Sequence, residues 1–107
     1  MKVEDLKLYN KYKDIREPNR ILIYIGIDHE DDYIFLYKNE NVEITCLTLK
    51  LLGFNPDKIA EDLNLEIIDG SGNKYIKKII WTHHTKKSIE QYVKPLLKDK
   101  LKNIINR

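Results

Sequence analysis

Apolar residues recur mostly with period two in the first three quarters of this chain, the spacing of strands with one face on a core. The clearest run is Arg20 to Ile27, where Ile21, Ile23, Ile25 and Ile27 alternate with Leu22, Tyr24 and Gly26. β-Branched residues dominate it and its second face is also apolar, so it is predicted to be a central strand covered on both sides. The acidic cluster Asp28-His29-Glu30-Asp31-Asp32 interrupts the pattern, and Tyr33 to Tyr37 resumes it. Lys38-Asn39-Glu40-Asn41 reads as a second turn, after which Val42, Ile44 and Cys46 alternate with Glu43, Thr45 and Leu47. Three antiparallel strands in a meander follow from this spacing.

Before the meander, Val3 to Tyr12 supports two readings. Val3, Leu6, Tyr9 and Tyr12 suit a helix face, whereas Leu6 and Leu8, then Tyr12 after an Asn10-Lys11 turn, suit a strand. With the strand reading, which the turn residue Asn10 favours, the segment from Leu6 to Ile15 joins the meander. The N-terminal half is then expected to form an SH3-like small barrel or a curled sheet.

The second half mixes periods. Asn55-Pro56-Asp57 is a helix start, with a capping side chain, a proline suited to the first turn and an acid at the positive end of the dipole. Ile59 and Leu63, four apart, place that short helix on a core, and it stops near Asn64. Leu65 to Asp69 and Lys74 to Trp81 flank Gly70-Ser71-Gly72-Asn73 as a β-hairpin. Alternation puts Tyr75, Lys77, Ile79 and Trp81 on one face and Ile76, Lys78 and Ile80 on the other. Ser88 to Gln91 reads as a capping box opening an amphipathic helix. Ile89, Val93, Leu96, Leu97, Leu101 and Ile104 form its apolar stripe, and Pro95 is expected to kink it. The fold class is therefore α+β: meander or SH3-like barrel, short helix, hairpin, C-terminal amphipathic helix.

With 107 residues, 42% of them hydrophobic and 34% charged, the chain is expected to be one globular domain. No apolar run approaches the ~20 residues of a membrane span. Acids near Met1 stand where a secretory signal needs an apolar stretch, and Cys46 is the lone cysteine, so a cytoplasmic location is the expectation. Lysine outnumbers arginine sixteen to three, a bias that AT-rich codons produce, as in low-GC bacteria and their phages. Lysine is a hydrated point charge, so any nucleic-acid contact should be electrostatic more than sequence-reading.

Charge changes the picture most. Residues 1–27 carry a net +2, residues 28–69 a net −8 and residues 70–107 a net +8, so the total of +2 conceals two opposed fields. Such fields steer partners or pair with each other. Lys87, Lys94, Lys98 and Lys102 cluster opposite the apolar stripe, extended by Lys77, Lys78, Lys86 and Lys100, and phosphate contact is their functional reading. Tyr75, Trp81 and Tyr92 lie in the same third, where aromatic rings can stack on bases.

Other constellations lead to less. Asp28, Glu30, Asp31 and Asp32 with His29 offer oxygen ligands on a turn but match no cation loop, and acids at hairpin tips are ordinary. Asp69 to Asn73 opens like a calcium loop, but Lys74 and Ile80 stand where Gly and Glu are required. Adjacent His83 and His84 point apart, and a zinc site needs three or four ligands. Leu51 to Leu65 resembles the first helix and turn of a helix-turn-helix, but a strand and turn follow where the recognition helix belongs. No cofactor, metal or catalytic residue is expected.

The favoured function is a small non-enzymatic module engaging nucleic acid or a nucleoprotein through its lysine-rich C-terminal third. The alternative is a phage- or mobile-element-encoded regulator that presents Asp28, Glu30, Asp31 and Asp32 to a host enzyme. A symmetric homodimer pairing acidic and basic regions is a further possibility for the charges. An enzyme would need His83 or His84 beside a carboxylate in a cleft.

Overall fold

The computed structural model describes residues 1–96; the expectations for Leu97, Lys98, Lys100, Leu101, Lys102 and Ile104 lie outside the described residues. A 3-10 turn at Val3–Asp5 precedes six strands: β1 (Lys11–Asp14), β2 (Glu17–Ile27), β3 (Tyr33–Thr45), β4 (Ile67–Gly70), β5 (Asn73–His84) and β6 (Val93–Pro95). Helices α1 (Cys46–Leu51) and α2 (Pro56–Leu63) lie between β3 and β4, and α3 (Lys86–Tyr92) lies between β5 and β6. All pairings are antiparallel, in the order β4-β5-β3-β2-β1-β6. The sheet has two free ends and does not close, so the molecule is α+β with an open antiparallel sheet, and of the expected alternatives, SH3-like barrel or curled sheet, the barrel is not formed.

Both sheet faces carry a core. On one, Ile25, Ile34, Leu36, Ile76 and Ile79 pack with Cys46 and Leu49 of α1 and Ile59 of α2. On the other, Tyr12, Leu22, Tyr24 and Phe35 pack with Ile89 of α3 and Val93 of β6. The β2 expectation of cover on both sides holds only in part. Tyr24 and Ile25 are buried, but Ile21 and Ile27 are half exposed. The helices α1 and α2 cover their face over β5, β3 and the Ile25 end of β2, so that among the described residues no helix covers the β1–β2 corner. A bulge between Tyr24 and Gly26 then turns Ile27 to the opposite face.

Bulges account for other departures. Lys38 to Asn41 is not a turn; β3 runs on to Thr45, and the extra residues bulge between the Lys38–Ile79 and Glu43–Lys77 pairs. Opposite that bulge Lys78 adopts φ +60°, which inverts the side-chain alternation of β5. Ile76 and Ile79 therefore share the core face, contrary to simple period two.

Element ends follow local chemistry. Thr45 caps α1, its hydroxyl accepting from the Thr48 N–H at 3.1 Å, so Cys46 begins a helix instead of continuing a strand. Asn55 caps α2 as its sequence implies, and Asn64 ends it in the left-handed conformation. The hairpin turns on Ser71 and Gly72, both at positive φ, the signature of a type I′ turn. The capping box of the last helix is Thr85–Ser88, one turn earlier than the expected Ser88–Gln91. That helix ends at Tyr92, because Pro95 disfavours helical geometry at Lys94 and the free edge of β1 accepts Val93 to Pro95 as β6.

Candidate functional site

The open corner on the α1–α2 side of the sheet is basic. Strand β1 buries Tyr12 and Asp14 on the α3 side, which turns Lys11 and Lys13 to the other face. Lys11 lies opposite Ile23, Lys13 opposite Ile21 on one side and opposite Lys94 of β6 on the other. Ile23 is opposite Leu36 of β3, and Lys38 is two residues beyond Leu36 on the same face. Lys11, Asn19, Arg20, Ile21, Ile23 and Lys38 line a groove of about 250 Å³. Among the described residues, none of Lys11, Lys13, Arg20, Lys38 and Lys94 forms an ion pair. The Arg20 guanidinium lies 4.1 Å from the Tyr37 ring centroid, on the α3 side of the sheet with Leu22, so the cations on the groove's own face are lysines.

Like charges directly across a ladder destabilise it, so Lys13 opposite Lys94 is an arrangement that an anion between them would relieve. The half-exposed Ile21 gives the groove an apolar floor between the lysines of β1 and β3.

The lysines expected from the C-terminal third separate. Lys94 lies opposite Lys13 on the groove's face without lining the groove, and Lys86 and Lys87 are exposed at the start of α3. Lys77 pairs with Glu66 at 3.7 Å, and Lys77 and Lys78 line a hollow with Glu40 and Glu43. Part of the acidic and basic fields thus meet within the molecule, because β5 lies between β3 and β4. Lys98 and Lys102 are outside the described residues. Lys11, Lys13, Arg20 and Lys38 were not singled out by sequence reasoning. The signal was the pair of lysines flanking Tyr12, which share a face whenever Tyr12 is buried.

The acidic turn has a structural employment. Asp28 is buried, and its Oδ1 accepts from the backbone N–H groups of Glu30 and Asp32, both at 2.9 Å. Glu30 and Asp31 are exposed and Asp32 is partly so. Carboxylate oxygens of Asp28, Glu30 and Asp32 lie within 4.8 Å of one another, three ligands where calcium takes six to eight.

A second polar group sits under α3. His84 is buried at the end of β5, with Nδ1 2.9 Å from Ser88 Oγ and Nε2 3.5 Å from Asp14 Oδ2. Burial lowers the His84 pKa, against the opposing pull of the Asp14 charge. Arg16 holds Asp14 with two charge-assisted bonds, Nε to Oδ1 at 3.0 Å and Nη2 to Oδ2 at 2.8 Å. These bonds keep the Asp14 carboxyl below its ordinary range, although burial opposes them. Ser, His and Asp are therefore adjacent, beside a hollow of about 250 Å³ that Arg16, Arg20 and His83 also line. The serine is committed elsewhere: its oxygen accepts from the Thr85 N–H at 2.9 Å and donates to the Thr85 carbonyl at 3.1 Å. The geometry fastens α3 to β5 and β1, and Ser88 is not free to act as a nucleophile.

Of the aromatic candidates, Trp81 packs on the α1–α2 core and against His83, and Tyr92 lies under Arg16 at 4.0 Å. None of the three lines the basic groove. Among the described residues no helix is long and apolar enough to cross a membrane. Comparison of the chain with family models, with curated proteins and with solved structures finds no match.

Proposed function

We propose that this chain is a small non-enzymatic nucleic-acid-binding module whose contact surface is the sheet corner around Lys11, Lys13, Lys38 and Lys94. One observation carries the reading: Lys11, Lys13, Lys38 and Lys94, from three strands, share one sheet face at a groove whose lining, among the described residues, holds no carboxylate. Phosphate is the ligand that such a surface attracts most, through release of condensed counterions. The contact is electrostatic and tolerant of sequence, since its cations are lysines. Lys86 and Lys87 extend the positive field without lining the groove.

Fluorescence anisotropy with labelled DNA and RNA oligonucleotides, titrated with salt, tests the proposal. Binding should weaken steeply as salt rises. The double substitution Lys11→Glu/Lys38→Glu should abolish it in a protein that still melts cooperatively, because both side chains are on the surface. Binding that survives that double substitution overturns the reading.

A further inference from the structure

We infer that the groove takes an unpaired nucleotide, with a base against the aliphatic floor of Ile21 and Ile23 and the flanking phosphates on the cations. The inference rests on the nucleic-acid reading and narrows it to single strands.

The floor is what separates the two kinds of ligand. Ile21 is 48% exposed although it lies mid-strand on an inner strand of the sheet. Its cross-strand neighbour on β1 is Lys13, Ile23 lies between Lys11 and Leu36, and Lys38 follows two residues beyond Leu36 on the same face. A duplex presents sugars and phosphates outward and keeps its bases stacked inside. Laid across this corner, it would set charged backbone against exposed isoleucine and dehydrate it for no return. A single strand can turn a base face down, and covering the isoleucines with it removes apolar surface from water on both partners.

Size and edge chemistry agree. The groove, at about 250 Å³, is smaller than the ~300–1,000 Å³ pockets of drug-sized ligands and suits one base. Asn19 at its rim offers both a donor and an acceptor to a base edge. Arg20, held against Tyr37, lines a neighbouring hollow with Glu17, Asn19, Lys38 and Asn39, so a carboxylate bounds the groove on that side.

The test measures three probes on the whole protein in low salt: a single-stranded DNA 12-mer, the same 12-mer as a duplex, and inorganic polyphosphate. The single strand should bind at least about tenfold tighter than the duplex. Ile21→Thr, which keeps a β-branched strand residue, should weaken single-strand binding by about fivefold and leave the other two probes unchanged. Equal affinity for strand and duplex, or an unchanged single-strand affinity in Ile21→Thr, overturns the inference while leaving the electrostatic reading in place. Absence of binding to all three probes, or binding that survives Lys11→Glu/Lys38→Glu, overturns both.

Discussion

His84 stacks edge-on against Phe35 with Ser88 on one ring nitrogen and Asp14 facing the other. Its pKa is lowered by burial from the ordinary 6.5, so the folded state prefers neutral imidazole more than the unfolded chain does. A depressed histidine gives stability that is complete above pH 6.5 and is lost as pH falls below it toward the folded pKa. Asp14, also depressed, adds a loss of the same sign at lower pH. The melting temperature should therefore fall between pH 7 and pH 5, and His84→Gln should flatten that interval while lowering the melting point throughout. A wild-type profile that is level from pH 7 to 5 contradicts this account. Gly26 is a second sensitive position, at φ +124° with a hypothetical Cβ 3.2 Å from Phe54. Gly26→Ala should destabilise by about 1–3 kcal/mol, read from denaturant midpoints, whereas Gly53→Ala meets no neighbour and adds only backbone strain.

Among the elements, β5 depends on an inversion at Lys78, which brings Ile76 and Ile79 to one core. A β-branched residue resists the left-handed region, so Lys78→Val should cost about 1–2 kcal/mol, and Lys78→Gly should be close to neutral. If both melt alike, the bulge is not held by that backbone conformation. The cap of α2 makes a simpler case. Asn55 Oδ1 accepts from Asp57 and Lys58 at 3.1 and 3.3 Å, and Asn55→Ala should cost about 1 kcal/mol by thermal or denaturant unfolding. Both caps and turns of this kind were legible from residues alone. Asn55-Pro56-Asp57 and Ser71-Gly72 act where they stand, because the chemistry involved reaches only two or three residues. The end of α3 was not legible, because the pattern from Ile89 onward suits a helix until the open edge of β1 competes for Val93.

Taken whole, the molecule spends part of its segregated charge on itself. Lys77 meets Glu66, and Lys77 and Lys78 share a hollow with Glu40 and Glu43, while among the described residues no acid lines the groove of Lys11 and Lys38. With four lysines engaged, the logarithm of affinity for single strands should fall with the logarithm of salt at a slope of about −2.8. Removing Lys94 should reduce that slope by about 0.7, and removing Lys77 should leave it unchanged. A slope that responds to Lys77 and ignores Lys94 would place the contact on β5 instead.

The sequence by itself determined the strands at Arg20 to Ile27 and Tyr33 to Tyr37, the helix start at Asn55, the hairpin at Ser71-Gly72, the turn at Asp28 and the burial of residues such as Leu22, Ile59 and Ile89. Each of these depends on periodicity or on hydrogen bonds between near neighbours. Only the tertiary structure decided that the sheet stays open, that Cys46 begins a helix, and that Ile76 and Ile79 face the same way. It alone decided where charge accumulates, since Lys11 and Lys13, Lys38 and Lys94 come from three differently charged stretches of chain. Net charge along a sequence is a one-dimensional sum, whereas the field that a ligand meets depends on strand order and on which lysines find carboxylates. Strand pairing put β5 among acids and gathered β1, β2, β3 and β6 around an uncovered isoleucine floor.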